Sequence, residues 1–151
     1  MNNFLSHLFH TSYDTTEWFV SFQKAVAGLT HEQASQKLTP EGDSVFGIVA
    51  HLTYWNGRYL KKMRGEAQSS PMITDNELTF AITQYKDWDQ LQREAEKVFH
   101  DWSELLSSLS EKDKEHYAAI GNTAMHNAYH IGQIVLLRKL QGSWNKAEGV
   151  K

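Results

Sequence analysis

Apolar positions recur along most of this chain at spacings of three and four residues, the period of one face of an α-helix. The most regular run is Trp88, Leu91, Ala95, Val98, Trp102, Leu105 and Leu109, which predicts a helix with a single buried stripe. Asp87 with Gln90 gives it a capping-box-like start. A second periodic run, Phe4, Leu8, Thr11, Thr15, Trp18, Phe22, Val26 and Leu29, predicts one long first helix from about Asn3 to Gly28. Ile48, His51, Leu52, Trp55 and Tyr59 form the stripe of another helix. It opens at Asp43 or Ser44 as N-cap and stops near Gly65, after the basic turn Lys61, Lys62 and Arg64. The last long helix starts between Ala118 and Thr123 and ends at Gly142.

The stretches between these runs differ in kind. Thr30 to Pro40 has room for one short helical turn capped by Thr30, with Gln33 at the capping-box position. Ser110 is placed to cap a short helix beginning at Glu111. Gly65 to Lys86 shows no clean period and contains the helix-breaking Ser69-Ser70-Pro71. A connection of that length predicts a crossover rather than a tight hairpin, so the expected class is all-α: a four-helix bundle with a long crossover between its second and third helices. Residues 1–151 are read as a single domain. The tail Ser143 to Lys151 is expected to be loosely held.

Composition narrows this picture. The chain has 40% hydrophobic and 12% aromatic residues, enough for a real core. Its net charge is −3 and no run of Lys or Arg exceeds two residues, which argues weakly against a nucleic-acid footprint. No stretch approaches the ~20 apolar residues that span a bilayer. The start, Met1 to His7, has no basic segment followed by an apolar run. The expectation is a soluble, cytoplasmic protein with neither a nucleic acid nor a membrane as partner. There is no cysteine, so any metal must be held by His, Asp or Glu.

The candidate chemistry sits in Met125 to Gln133. His126 and His130 are four residues apart in an apolar helical segment, so both imidazoles point from one face. This is the helical form of a metal-ligand pair. Gln133, Ile134 and Leu137 continue the face, which turns apolar and suggests an inward orientation. His51 lies in the middle of its own apolar stripe. A lone buried histidine is ordinarily a hydrogen-bonded core residue, and that reading stays open for His51. Three buried imidazoles without partners would each cost on the order of 1–3 kcal/mol, which a shared metal would relieve.

The remaining histidines carry less. His10 with Asp14 is a candidate fourth ligand or supporting pair, or a solvated surface contact. His7 lies on the first helix, and His31, His100 and His116 have charged or polar neighbours. No Glu-x-x-His occurs, which leaves a di-iron carboxylate site unsupported. A Gly-rich phosphate loop and a Gly-x-Ser-x-Gly elbow are also missing. Tyr54, Trp55, Arg58, Tyr59 and Tyr129 are candidates to line a pocket near the metal, with core packing as the alternative for the aromatics. Arg58 is the residue suited to gripping an anionic substrate.

His51-Leu52-x-x-Trp55 together with His126-Asn127-Ala128-Tyr129-His130-Ile131-Gly132-Gln133-Ile134 resembles the DinB-like family, including its YfiT-like metal-dependent hydrolases. The resemblance covers essentially the whole chain in length and helix order. It implies an up-down-down-up bundle, often homodimeric, and a divalent nickel, zinc or iron ion held by His51, His126 and His130 with waters. Relatives include bacillithiol S-transferases and a mycothiol-dependent maleylpyruvate isomerase, so a low-molecular-weight thiol is an implied cofactor and a small molecule the implied substrate. Three neutral imidazoles leave such an ion dipositive, able to acidify a bound thiol or water. Thiol S-transfer is therefore the leading expectation, ahead of ester or amide hydrolysis. A non-catalytic metal-binding, stress-associated bundle is the alternative of a different class.

Overall fold

A computed structural model describes residues 2–81 and 83–150, with side chains from residue 4 onward. Among these residues there are six α-helices and no strand. They are α1 (Asn2–Tyr13), α2 (Phe22–Val26), α3 (His31–Ser35), α4 (Val45–Met63), α5 (Trp88–Ser108) and α6 (Tyr117–Leu140). Three 3₁₀ segments accompany them: Asn76–Ala81, Glu111–His116 and Lys146–Glu148. The class is all-α, and none of the described helices is long and apolar enough to cross a membrane. The chain divides into two compact units, Met1–Leu29 with Asp101–Lys151, and Thr30–His100.

The caps fall where the side chains dictate. Thr30 and Gln33 close a reciprocal capping box on α3, and Ser44 accepts the Gly47 N–H at the start of α4. Ser110 and Asp113 form a second box on the 3₁₀ turn that runs directly into α6. Asp87 caps α5 through Gln90 N, while the Gln90 side chain reaches back to the Lys86 N–H. Gly65 and Gly142 follow the ends of α4 and α6 with positive φ, where a Cβ would be strained.

In the first unit α1, α2 and α6 pack together, with the Phe9 and Trp102 rings 5.6 Å apart at its centre. The expected single first helix is corrected here: α1 ends at Tyr13, and helix resumes only at Phe22. The buried face is Leu5, Phe9 and Tyr13, whereas Phe4 is 58% and Trp18 93% exposed. The periodic run therefore followed the wrong phase. Thr15 and Thr16 turn the chain out of the helix: the Thr15 hydroxyl donates to Asp14 and Thr16 Oγ1 accepts the Ser21 N–H. Such short polar side chains compete with helical hydrogen bonds.

The tail is also better tied down than expected. Arg138 is buried, donates to the Ala25 and Ser143 carbonyls, and lies over the Trp144 ring. Lys24 and Glu148 pair at 2.8 Å. A guanidinium at the end of α6 has enough donors to bind two segments at once.

In the second unit α4 carries the structure. Ile48, Leu52, Asn56 and Leu60 are buried along it, and α3 packs on it. The irregular connection after Gly65 lies along α4 and is fastened to it at several points. Trp55 Nε1 donates to Asn76 Oδ1, the Ile73 N–H donates to the Tyr54 hydroxyl, and Arg58 donates to the Ser70 and Pro71 carbonyls. At Gly47 the 3₁₀ segment Asn76–Ala81 comes so near that a Cβ would stand 2.7 Å from the Phe80 carbonyl oxygen. The first turn of α5 closes the unit, its Trp88 N–H donating to His31 Nδ1.

Candidate metal centre

Helical spacing delivers a pair of histidines. On α6 the rings of His126 and His130 meet edge to face, with centroids 4.6 Å apart and Nε2 atoms 3.1 Å apart. His130 is 5% exposed and His126 partly so. Burial, and then the neighbouring His130, push the His126 pKa down to about 4, so this imidazole is neutral at physiological pH. His130 Nδ1 lies 2.6 Å from Gln133 Oε1. An amide oxygen only accepts, so His130 Nδ1 carries the hydrogen and Nε2 presents its lone pair to His126.

That geometry suits a metal. Bonds of about 2.0–2.1 Å at angles of 90–110° would separate two ligand nitrogens by roughly 2.9–3.4 Å, a range that includes the observed 3.1 Å. Neutral imidazoles with an oriented outer nitrogen are the donor set such an ion requires.

The third candidate histidine stands on α4 in the second unit. His51 is 2% exposed. Its ring stacks on Phe80 with centroids 4.0 Å apart, and its Nδ1 lies 2.5 Å from Thr79 Oγ1.

Of the candidate pocket residues, Tyr54 and Arg58 line a cavity of about 230 Å³ in the second unit, together with Lys61, Gln68, Tyr85 and Glu94. Arg58 also sits 5.5 Å over the Tyr54 ring. Tyr129 is 64% exposed, meets the His130 ring edge-on and accepts a long 3.4 Å hydrogen bond from Gln133 Nε2. Trp55 is half-buried and Tyr59 exposed. His10 pairs with Asp14 at 3.0 Å in a partly exposed position. His31 is exposed but caps α5, and His100 stands in an exposed acidic turn with Asp101 and Glu104.

Thr79 and Phe80 escaped the sequence reading. They belong to a stretch without helical period, and nothing local marks a threonine as the neighbour of a histidine 28 residues away. Gln133 stood in the recognised motif, but only the folded side chains reveal its bond to His130.

A model of the DinB superfamily matches residues 18–136. No curated protein and no solved structure matches the chain.

Proposed function

The chain belongs to the DinB superfamily, and from that premise we propose that it is a metal-dependent enzyme whose His51, His126 and His130 hold one divalent ion and whose reaction is thiol S-transfer. The observation that carries this reading is the approach of the His126 and His130 Nε2 atoms to 3.1 Å on α6, with His126 held neutral; His51 joins them as the third ligand through the family motif. A divalent ion on three neutral imidazoles keeps its full charge and lowers the pKa of a thiol or water bound to it. Because the protein has no cysteine, the reacting sulfur must arrive on a small thiol. In the net reaction an S–C bond forms, the bond from carbon to the leaving group breaks, and the thiol proton goes to solvent.

The roles of the protein's own residues follow from their settings. His126, held neutral by burial, can coordinate without a net loss of a proton, its ring hydrogen moving to the other nitrogen. Gln133 orients His130. Arg58, its NH1 anchored on two carbonyls, faces a cavity that also holds Lys61, which suits the carboxylate or phosphate end of a small substrate. The Tyr54 ring, 5.5 Å from the Arg58 Cζ, steadies that guanidinium, while Tyr129, itself exposed, meets the His130 ring edge-on. From His51 to Arg58 is two turns of α4, on the order of 10 Å, a span that a small thiol conjugate can bridge. The same reading, resting on the family, carries a single-domain up-down-down-up bundle acting as a cytoplasmic homodimer, with nickel, zinc or iron as the ion.

The test uses protein purified without a metal resin. Elemental analysis should find one divalent metal per chain, and conjugation of a halogenated aromatic or an epoxide should require that metal and one of bacillithiol, mycothiol, glutathione or coenzyme A. Arg58→Ala should keep the metal and raise KM several-fold for an anionic thiol. Metal-dependent ester hydrolysis without any thiol conjugation would replace transfer by hydrolysis, and inactivity in both assays would leave a non-catalytic metal-binding bundle.

A further inference from the structure

We propose that Thr79 is a positioning residue for the metal centre: its hydroxyl holds His51 as the Nδ1–H tautomer, so that Nε2 is the nitrogen His51 offers to a cation. The inference rests on reading His51 as a ligand, but its own evidence is a count of hydrogens. Thr79 Oγ1 lies 2.6 Å from the Asn76 carbonyl oxygen and 2.5 Å from His51 Nδ1. A carbonyl has no hydrogen to give, and a hydroxyl has one. The Thr79 hydrogen therefore goes to Asn76 O, and the contact with His51 is attractive only if Nδ1 carries a hydrogen and donates it to Oγ1. With the hydrogen on Nε2 instead, two acceptors would compete for one hydroxyl hydrogen, and one short contact would be repulsive.

The surroundings make this choice rigid. Thr79 is fully buried, so no solvent replaces either bond. The Phe80 ring lies nearly parallel to the imidazole, at an interplanar angle of 12°, which holds the plane of the ring as well as its tautomer. The chain Asn76 O, Thr79 O–H, His51 Nδ1–H is thus a relay from the backbone of the 3₁₀ segment to the histidine. Outer partners of this kind fix ligand orientation and are commonly worth 10–100-fold in metal affinity.

Nitrogen-detected NMR of the metal-free wild-type protein should show His51 with a protonated Nδ1 and a bare Nε2. Thr79→Val keeps the shape and removes both bonds. It should populate the other tautomer and weaken zinc binding 10–100-fold in chelator competition, while Thr79→Ser restores both readouts. A bare Nδ1 in the wild-type spectrum overturns the proposal, as does a Thr79→Val affinity within twofold of wild type. The wild-type spectrum decides even if Thr79→Val does not fold. A wild-type protein that binds no metal would refute the metal-centre reading, yet the tautomer measurement would still show whether Thr79 orients His51.

Discussion

His51 and the pair His126–His130 are both histidine sites on helices, but they are built in opposite ways. The pair is nearly self-sufficient: α6 alone brings the two Nε2 atoms to 3.1 Å, and Gln133, one turn further on, orients His130. His51 draws on a segment outside its helix. A hydrogen-bond partner, Thr79, and a stacking partner, Phe80, come from the 3₁₀ segment Asn76–Ala81, which Gly47 lets approach and which Trp55 and Tyr54 help to secure. A ligand pair written into helical spacing persists as long as its helix does. A ligand placed by a non-periodic segment depends on every contact that holds the segment down.

The largest expected effect comes from removing a ligand of the self-sufficient pair. His130→Ala deletes the nitrogen that faces His126, so metal affinity should fall by at least a hundredfold. The metal-dependent rise in thermal midpoint should vanish, since a ligand bound only to the folded state stabilises it by mass action. Calorimetric titration and melting with and without zinc measure both. Unchanged occupancy would remove His130 from the site.

The second effect breaks the other half without touching a histidine. Gly47→Ala would place a methyl 2.7 Å from the Phe80 carbonyl oxygen, a backbone atom that can move only with its segment. Overpacking of this kind costs about 1–3 kcal/mol. The thermal midpoint of the metal-free protein should drop accordingly. The Thr79–His51 contact should loosen, visible as altered His51 ring signals, while the signals of His126 and His130 stay in place. A variant as stable as wild type with unchanged His51 signals would show that the close approach at Gly47 is not needed.

A third effect, spread over more than two pH units and so small at any one pH step, sharpens the comparison through pH. An unfolded histidine titrates near ~6.5, whereas burial and His130 hold His126 down to about 4 in the folded protein. Between those values the unfolded chain binds a proton that the folded chain does not. The His126 contribution to metal-free stability is therefore complete above the unfolded value and is lost as pH falls from ~6.5 toward 4. Denaturant titrations at several pH values should show this decline, and it should be shallower in His126→Ala. An equal slope in both proteins would mean that His126 titrates normally.

Much of this architecture was legible along the chain. The helix α5, the caps at Thr30, Ser44 and Ser110, and the stops at Gly65 and Gly142 all appear where the residues placed them, although the buried stripe of α5 continues past Ala95 through Phe99, Trp102 and Leu106 rather than Val98, Leu105 and Leu109. The first helix did not, because two phases of apolar residues overlap between Phe4 and Val26. The choice between them fell to packing around Phe9 and to the polar turn at Thr15 and Thr16. The tail was misjudged for a related reason: its anchor, Arg138, looks like an ordinary basic residue at a helix C-terminus until its guanidinium is seen bonded to Ala25 and Ser143.

By itself, the sequence determined the all-helical class, the pairing of His126 with His130 and the absence of any thiolate ligand. Each is a local or compositional matter: a period of 3.6 residues, a spacing of four and a count of zero cysteines. Only the tertiary structure decided the rest. It broke the first helix, tied down the tail and set Thr79 and Phe80 against His51. Those outcomes depend on contacts between residues far apart in the chain, and the period of a helix carries no record of which distant side chain will stand beside it.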